Sequence, residues 1–264
     1  MFSLFHLRSV AYFLLALCYC PSSLAESNLA QEQLSLQIRT IDVAPYGFES
    51  KEGDQGIYYD LANSLTKQLL SQSHIKINHQ IYPYARIIHE LKTGQTDLTI
   101  MFKYKESEPY VTYIAPLPSL ENVVIGLKGI EFKKISDLEG KKIAYLRGAK
   151  FSDAIDHNDK IIKVTTHDFR QGIDMLMAER VDAIIGPIDP ILLAAQKLKS
   201  NKELFGAPFV VSTRTPWLQI SKLSKLQHSI DDIKKYFNEI LAAGELNSLR
   251  KKYLTYNDSI NETD

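Results

Sequence analysis

The sequence predicts an α/β protein folded as two lobes, and three observations carry that prediction. Segments with strand character alternate with segments of helical spacing along most of the chain. The order strand, helix, strand, helix, strand is completed once and then restarts. One phrase is also written twice: "ELKTGQTDLTI", from Glu90 to Ile100, returns as "MLMAERVDAII", from Met175 to Ile185, with Leu91, Asp97 and Ile100 matched by Leu176, Asp182 and Ile185. The repeat marks one junction in two units, where a helix ends, the chain turns on an acidic residue and a buried strand begins. Asp97 and Asp182 are therefore expected to serve turns, a common use of acidic residues.

The elements follow in order. Leu36 to Val43 has the apolar, β-branched density of a strand and runs into "APYGF". After the polar loop "ESKEGDQG", Tyr58, Leu61, Ala62, Leu65 and Leu69 repeat at helical spacing. Ile75, Ile77, His79 and Ile81 alternate as in a strand. Pro83 opens a helix carrying Ile87, Ile88 and Leu91, and Gly94 is placed to end it. Asp97 to Phe102 is the next strand. In the second unit "KKIAYL" is a strand, a helix opens near Ser152, and "KIIKV" is a strand. Asp168 and Gln171 have capping-box spacing before a helix whose face holds Phe169, Ile173, Leu176 and Met177. Asp182 to Gly186 is that unit's last strand. A final helix shows Leu226, Ile230, Ile233, Phe237, Ile240 and Leu241, and the polar tail over 256–264 is expected to be disordered.

Composition narrows the function. The 264 residues are 45% apolar, enough for a sizeable core. Lys plus Arg and Asp plus Glu number 31 each and are interspersed, so no basic field points to nucleic acid. Residues 1–25 read as a signal peptide: Arg8 precedes the apolar run "VAYFLLALCYC", and "PSSLA" places Ser23 and Ala25 at a small-residue cleavage site. The run of about 11 residues is short of the ~20 that a membrane-spanning helix needs. Cys18 and Cys20 both fall inside it, and the bulky Leu17 and Tyr19 before them argue against lipidation. The mature chain is expected to start at Glu26 in the periplasm, without cysteine, which leaves packing to hold it together and excludes thiol chemistry.

The mature chain resembles family 3 extracellular solute-binding proteins, the periplasmic receptors of polar amino acid uptake. The motifs that carry the resemblance are "APYGFESKEGDQGIYYDLANSL", "ELKTGQTDLTI", "ISDLEGKKIAYLRGA", "AERVDAIIG" and "LAAGELNSLRKKYL", in the family's order. The resemblance implies a two-lobe periplasmic binding protein of type II, with the second lobe inserted into the first through two crossover strands. It places lobe one at 26–117 with a return over 211–255, and lobe two at 118–210, with hinges near Pro118–Asn122 and Phe209–Thr213. A small polar solute would be captured between the lobes, for an inner-membrane permease or a sensor, by a monomer that needs no cofactor.

The departures from the family matter as much. The family's amino-acid binders grip the substrate carboxylate with an arginine and the ammonium with an acid. Here Pro109 stands near the arginine position, with no arginine between Arg86 and Arg147, and Pro187 stands where the acid would be, with Asp189 nearby but displaced. A buried zwitterion with either partner missing is costly, so an anionic or neutral solute is expected. Arg86 lies in the first turn of the helix that faces the cleft in the family, and reads as either an anion contact or a surface charge. Lys103 and Lys105 lie just past a strand end, where ligands bind in α/β sheets, with Lys105 the more naturally solvated. Gly148 and Ala149, flanked by Arg147 and Lys150, read as a helix start suited to an anion. Tyr46, Phe48, Tyr84 and Phe102 are candidate pocket aromatics that would also serve as plain core. The six histidines after the leader have no metal-type spacing, and no hydrolase or phosphate-loop motif occurs. The competing readings are a dehydratase-like enzyme on the same scaffold, using Glu106, Glu108 or Asp189, and a ligand-free interaction module.

Overall fold

The structure, a computed structural model, describes residues 35–71, 75–197 and 204–254. The leader over 1–25 and the tail over 256–264 lie outside the described residues. The first unit runs β1 (Ser35–Ile41), β2 (Phe48–Ser50), β3 (Gly53–Gln55), α1 (Ile57–Leu70), β4 (Lys76–Tyr82), α2 (Tyr84–Thr93), β5 (Leu98–Phe102) and β6 (Val111–Pro116). The second runs β7 (Leu120–Ile125), β8 (Lys142–Leu146), α3 (Asp153–Asp156), β9 (Ile162–Thr166), α4 (Phe169–Met177), β10 (Ala183–Pro187), α5 (Ile188–Lys197) and β11 (Phe209–Arg214). The chain closes with β12 (Pro216–Ser221), α6 (Ile230–Ala242) and α7 (Glu245–Leu254).

Two five-stranded sheets result, ordered β4-β1-β5-β12-β6 and β11-β7-β10-β8-β9. They follow one plan. In the first, β1 is parallel to β4 and β5, and β12 lies antiparallel against β5. In the second, β8 is parallel to β9 and β10, and β7 lies antiparallel against β10. The chain crosses between sheets through 117–119 and returns at Thr215. These links bond to each other, Leu117 N to Pro216 O at 2.8 Å and Ser119 Oγ to Thr215 Oγ1 at 2.7 Å. The segments expected to act as hinges are largely strand, because β7 and β11 pair with each other from Leu120 and Arg214 inward.

The repeated phrase has one local structure in both places. Asp97 N donates to Gln37 O at 2.8 Å while its carboxylate accepts from Gln37 N at 2.7 Å. Asp182 does the same with Lys142, at 2.7 Å in both directions. Each aspartate clips the start of one buried strand to its parallel neighbour, which is why an acid sits at both turns.

Apolar spacing and burial agree over most elements. In α1, Ile57, Leu61 and Leu65 are buried, and in α6 Ile233, Phe237 and Ile240 are buried. Gly94 ends α2 in a left-handed conformation (φ 74°), as its position predicts. Three details differ. Met177, placed on the buried face of α4 by its spacing, is 48% exposed, because it is the last helical residue and lies a step around from Leu176. The helix near Ser152 is a single turn of four residues. The closing helix is two helices, separated at Ala243 and Gly244.

Candidate functional site

The loops that leave the carboxyl ends of β1, β4 and β5 in one sheet, and of β8, β9 and β10 in the other, bound a cleft in two parts. The inner part is a pocket of about 50 Å³ lined by side chains from the strand ends and loops of both sheets. Its walls include Tyr46, Tyr84, Phe102 and Tyr104 from the first lobe and Ala149, Phe151 and Phe169 from the second. Tyr46 stacks on Tyr58 with ring centroids 4.5 Å apart, and Tyr84 and Phe102 each meet Tyr104 edge-on. Burial, with Tyr104 beside it, pushes the Tyr84 phenol well above its ordinary pKa, and burial pushes Tyr104 up to about 12, so both stay neutral donors. A charge placed among these rings would meet little to solvate it.

Pro187, which the resemblance sets at the ammonium-binding position, lines this same apolar pocket. Gly186 beside it lets the Phe169 ring pack flat on the strand: a Cβ there would lie 2.4 Å from Phe169 Cε1. Asp189 does not reach the pocket. Its Oδ2 lies 3.2 Å from a terminal nitrogen of Arg250 in α7, so it forms an ion pair between α5 and the closing helix. Burial raises the Asp189 pKa and the Arg250 charge pulls it back.

The outer part is a chamber of about 650 Å³, lined by polar and apolar groups of both lobes. The first lobe contributes Asp42, Phe48 and Arg86, and the second Arg147, His167, Asp168 and Arg170. Arg86 is held in place. Its Nε donates to Glu90 Oε1 at 2.9 Å, and its guanidinium carbon lies 3.5 Å from the Tyr82 ring centre. Glu90 is itself buried, and its Oε2 accepts from Thr96 Oγ1 at 2.8 Å and from Arg39 Nε at 3.3 Å. Burial works against the Glu90 charge, but the hydrogen bonds from Thr96 and Arg86 and the nearby Arg39 hold its pKa below the ordinary value. Arg86 is therefore a preorganised cation supported by a buried, hydrogen-bonded carboxylate.

The other predicted residues fall into place around these two spaces. Tyr46, Tyr84, Phe102 and Ala149 line the inner pocket; Phe48, Arg86 and Arg147 line the chamber, with Tyr84 shared between them. Gly148 lines neither; with φ 76° it makes a tight turn that a side chain would strain, and it lies against Tyr84 and Ala85 of α2. The helix start expected at Gly148 is absent: Ala149 N donates to Leu146 O at 3.1 Å, Arg147 N to Thr166 O at 2.9 Å, and the short helix begins only at Asp153. Lys103 lines neither space. Its ammonium lies 4.9 Å from the Tyr113 ring centre and 5.5 Å from that of Trp217, with Glu108 Oε1 at 4.0 Å. Glu106 pairs with Lys150 at 2.5 Å, a hydrogen bond that lowers its pKa, the opposite of what a general acid needs at neutral pH. Among the described residues no group of three or more His, Cys, Asp or Glu is placed to hold a metal.

Sequence reasoning missed Asp42, His167 and Arg170 on the chamber wall, and Tyr104, Phe151 and Phe169 in the pocket. Each stands in a loop or helix start just after a strand, or one turn beyond it. That position was the available signal, and residue type alone did not separate these from ordinary loop charges and core rings.

Two α/β lobes joined by paired crossovers, with a cleft lined from both sides, define a two-lobe binding protein. The chain belongs to the bacterial extracellular solute-binding proteins, family 3, whose model matches residues 38–256. It is similar to "Probable amino-acid-binding protein YxeM" of Bacillus subtilis, 22% identical over 81% of each chain. Among solved structures it is similar to a mutant of ArgBP from T. maritima, with 20% identity, TM-score 0.69, and 84% of this chain and 96% of that one covered. It is also similar to a histidine kinase sensor domain described as resembling periplasmic binding proteins, with 13% identity, TM-score 0.69, and coverage of 84% and 97%. Among the described residues no helix is long and apolar enough to cross a membrane.

Proposed function

We propose that this chain is exported to the periplasm and captures a small polar solute between its lobes, presenting the closed form to an inner-membrane uptake permease or to a sensor. The observation that carries the reading is the chamber itself: about 650 Å³, with charged side chains contributed by both lobes. A solute that touches both walls binds the closed arrangement better than the open one and shifts the population toward it. Arg86 and Arg147 are the contacts for its anionic group. The name of the Bacillus subtilis relative points toward amino acids, while Pro109 and Pro187 at the clamp positions favour a solute gripped by other residues than the family's usual pair. Binding without turnover is the expected activity, since Glu106 and Asp189 are each committed to an ion pair.

Trp217 provides the test. It is the only tryptophan in the sequence, lies two residues past the return crossover, and packs edge-on against Tyr113 at 5.9 Å. Addition of a metabolite extract, or of a solute identified by mass spectrometry of the purified protein, should shift Trp217 emission and reduce the small-angle scattering radius together. A calorimetrically confirmed solute that changes neither would end the closure reading. Intact-mass analysis of the exported chain should give a start at Glu26 and no lipid.

A further inference from the structure

We propose that Lys150 is the catch of a clasp by which the two lobes bond directly to each other, so that the closed form is held partly by the protein and only partly by the solute. This rests on the lobes opening and closing about their crossovers, as the proposed function requires.

The first lobe grips this one residue of the second twice. From the segment that follows β5, the Tyr104 phenol donates to the Lys150 carbonyl at 2.9 Å, and Glu106 Oε1 accepts from the Lys150 ammonium at 2.5 Å. The same loop meets the first lobe two residues earlier, since a Cβ built on Gly148 would lie only 3.4 Å from Cβ of Ala85 in α2. Tyr104 and Phe151 are walls of the inner pocket contributed by opposite lobes. A rotation that parts the lobes there therefore pulls Tyr104 and Glu106 away from Lys150. Tyr104 is held ready for its bond, because its backbone N donates to Tyr113 Oη at 3.2 Å and its carbonyl accepts from the same hydroxyl at 2.8 Å.

The catch is anchored where the hinge begins. The next carbonyl, that of Phe151, accepts from Arg214 Nε at 3.0 Å, from Ser212 Oγ and, at 3.4 Å, from Asn122 Nδ2. Asn122 belongs to β7, and Ser212 and Arg214 belong to β11, the strands that enter and leave the second lobe. Arg214 also donates to Asp153 Oδ1 at 2.6 Å, and its guanidinium carbon lies 5.4 Å from the centre of the Tyr104 ring. Adjacent residues of one loop are thus held by the first lobe and by both hinge strands.

The two bonds differ in weight. Tyr104 is buried, so its hydroxyl bond is shielded from water in the closed form. The Lys150–Glu106 pair has side chains 40% and 59% exposed, so it adds little and is screened by salt. Lys150 lines neither the pocket nor the chamber, and its charge is spent on this pair rather than on a solute.

The test uses the chain from Glu26, which has no cysteine of its own, freed of carried solute by unfolding and refolding. Spin labels go on two exposed positions, His89→Cys on α2 and Asp174→Cys on α4. Pulsed electron resonance should show a short-distance population that grows when a metabolite extract is added. Tyr104→Phe combined with Glu106→Gln should lower the short-to-long ratio of the solute-free chain by about fivefold or more. Glu106→Gln alone changes an exposed side chain and keeps the fold. It should lower the ratio less, and should remove the loss of the short population that added salt causes in the parent. A ratio unchanged in both variants while the extract still shifts it would overturn the clasp and leave capture between the lobes standing. One distance that neither the variants nor the extract moves would overturn both.

Discussion

Asp97 holds both backbone groups of Gln37, giving its N–H to the Gln37 carbonyl and accepting the Gln37 N–H on its carboxylate. Asp182 repeats the arrangement on Lys142 in the other lobe. The carboxylate stands in for the ladder partner that Gln37 would otherwise lack at the point where β5 begins, so the β1–β5 ladder is closed at its end by a side chain.

Asp97→Ala should therefore cost about 1–3 kcal/mol, the scale of leaving a buried backbone donor without its charged acceptor. Asp182→Ala should cost less, because the Asp182 side chain is 39% exposed and water can take its place. Urea denaturation of the two variants is the check; a larger loss from Asp182→Ala would mean that burial does not set the difference.

His79 gives a second expectation. Its Nδ1 and Nε2 each lie 2.8 Å from a partner, Asn63 Oδ1 and Thr40 Oγ1, and its ring stacks on Tyr59 at 4.0 Å. Burial, reinforced by the charge of Arg39, pushes its pKa down to about 3. The unfolded chain takes up this proton below about pH 6.5 and the folded chain does not. Stability should thus be fully present above that pH and fall as pH drops toward 3, with a slope of up to about 1.4 kcal/mol per pH unit from this group. Melting curves of the protein and of His79→Gln between neutral and mildly acidic pH should differ in slope; parallel curves would remove His79 from the account.

Arg86 and Asp189 separate the chamber from the hinge side. Arg86→Ala should weaken solute binding by about 1.5–3 kcal/mol, roughly ten- to a hundredfold. Asp189→Ala should leave affinity nearly unchanged and cost about 1 kcal/mol of stability, because its partner Arg250 is partly exposed. Tight binding of a standard amino acid that survives Arg86→Ala and is lost on Asp189→Ala would reverse both assignments.

Gly186→Ala tests the wall of the inner pocket. The added methyl meets the Phe169 ring and must move it, at about 1–3 kcal/mol for overpacking. Phe169→Leu in the same chain should recover part of that loss, and a thermodynamic cycle should show the two changes to be coupled. Additive costs would mean that the ring is free to move.

The alternation of strand and helix, the repeated acidic turn and the family motifs were legible because each depends on neighbours a few residues apart. Gly94 and the buried faces of α1 and α6 belong to the same class. What was not legible depends on the fold bringing distant segments together. Asp42 and Asp168 are 126 positions apart and ordinary as loop acids, and only the fold brings them to the wall of one chamber. Asp189 looked like a displaced ligand contact until Arg250, from the far end of the chain, proved to hold it. Lys103 was placed at a strand end correctly, but its side chain leans onto Tyr113 and Trp217, a direction that spacing does not encode.

The position of β12 bears on the order in which the protein takes shape. It lies between β5 and β6, yet it is followed only by the last two helices. The second lobe is continuous in sequence, so every strand of its sheet is present once Arg214 has been made. The first is still incomplete then: until β12 arrives, β5 and β6 have no strand between them and Phe237 of α6 is not yet there to fill the core. During synthesis the earlier half thus waits on the later one, with two exposed strand edges that are open to mispairing. A chain cut short before Pro216 would keep every strand of the second sheet and leave β5 and β6 of the first without the strand that joins them.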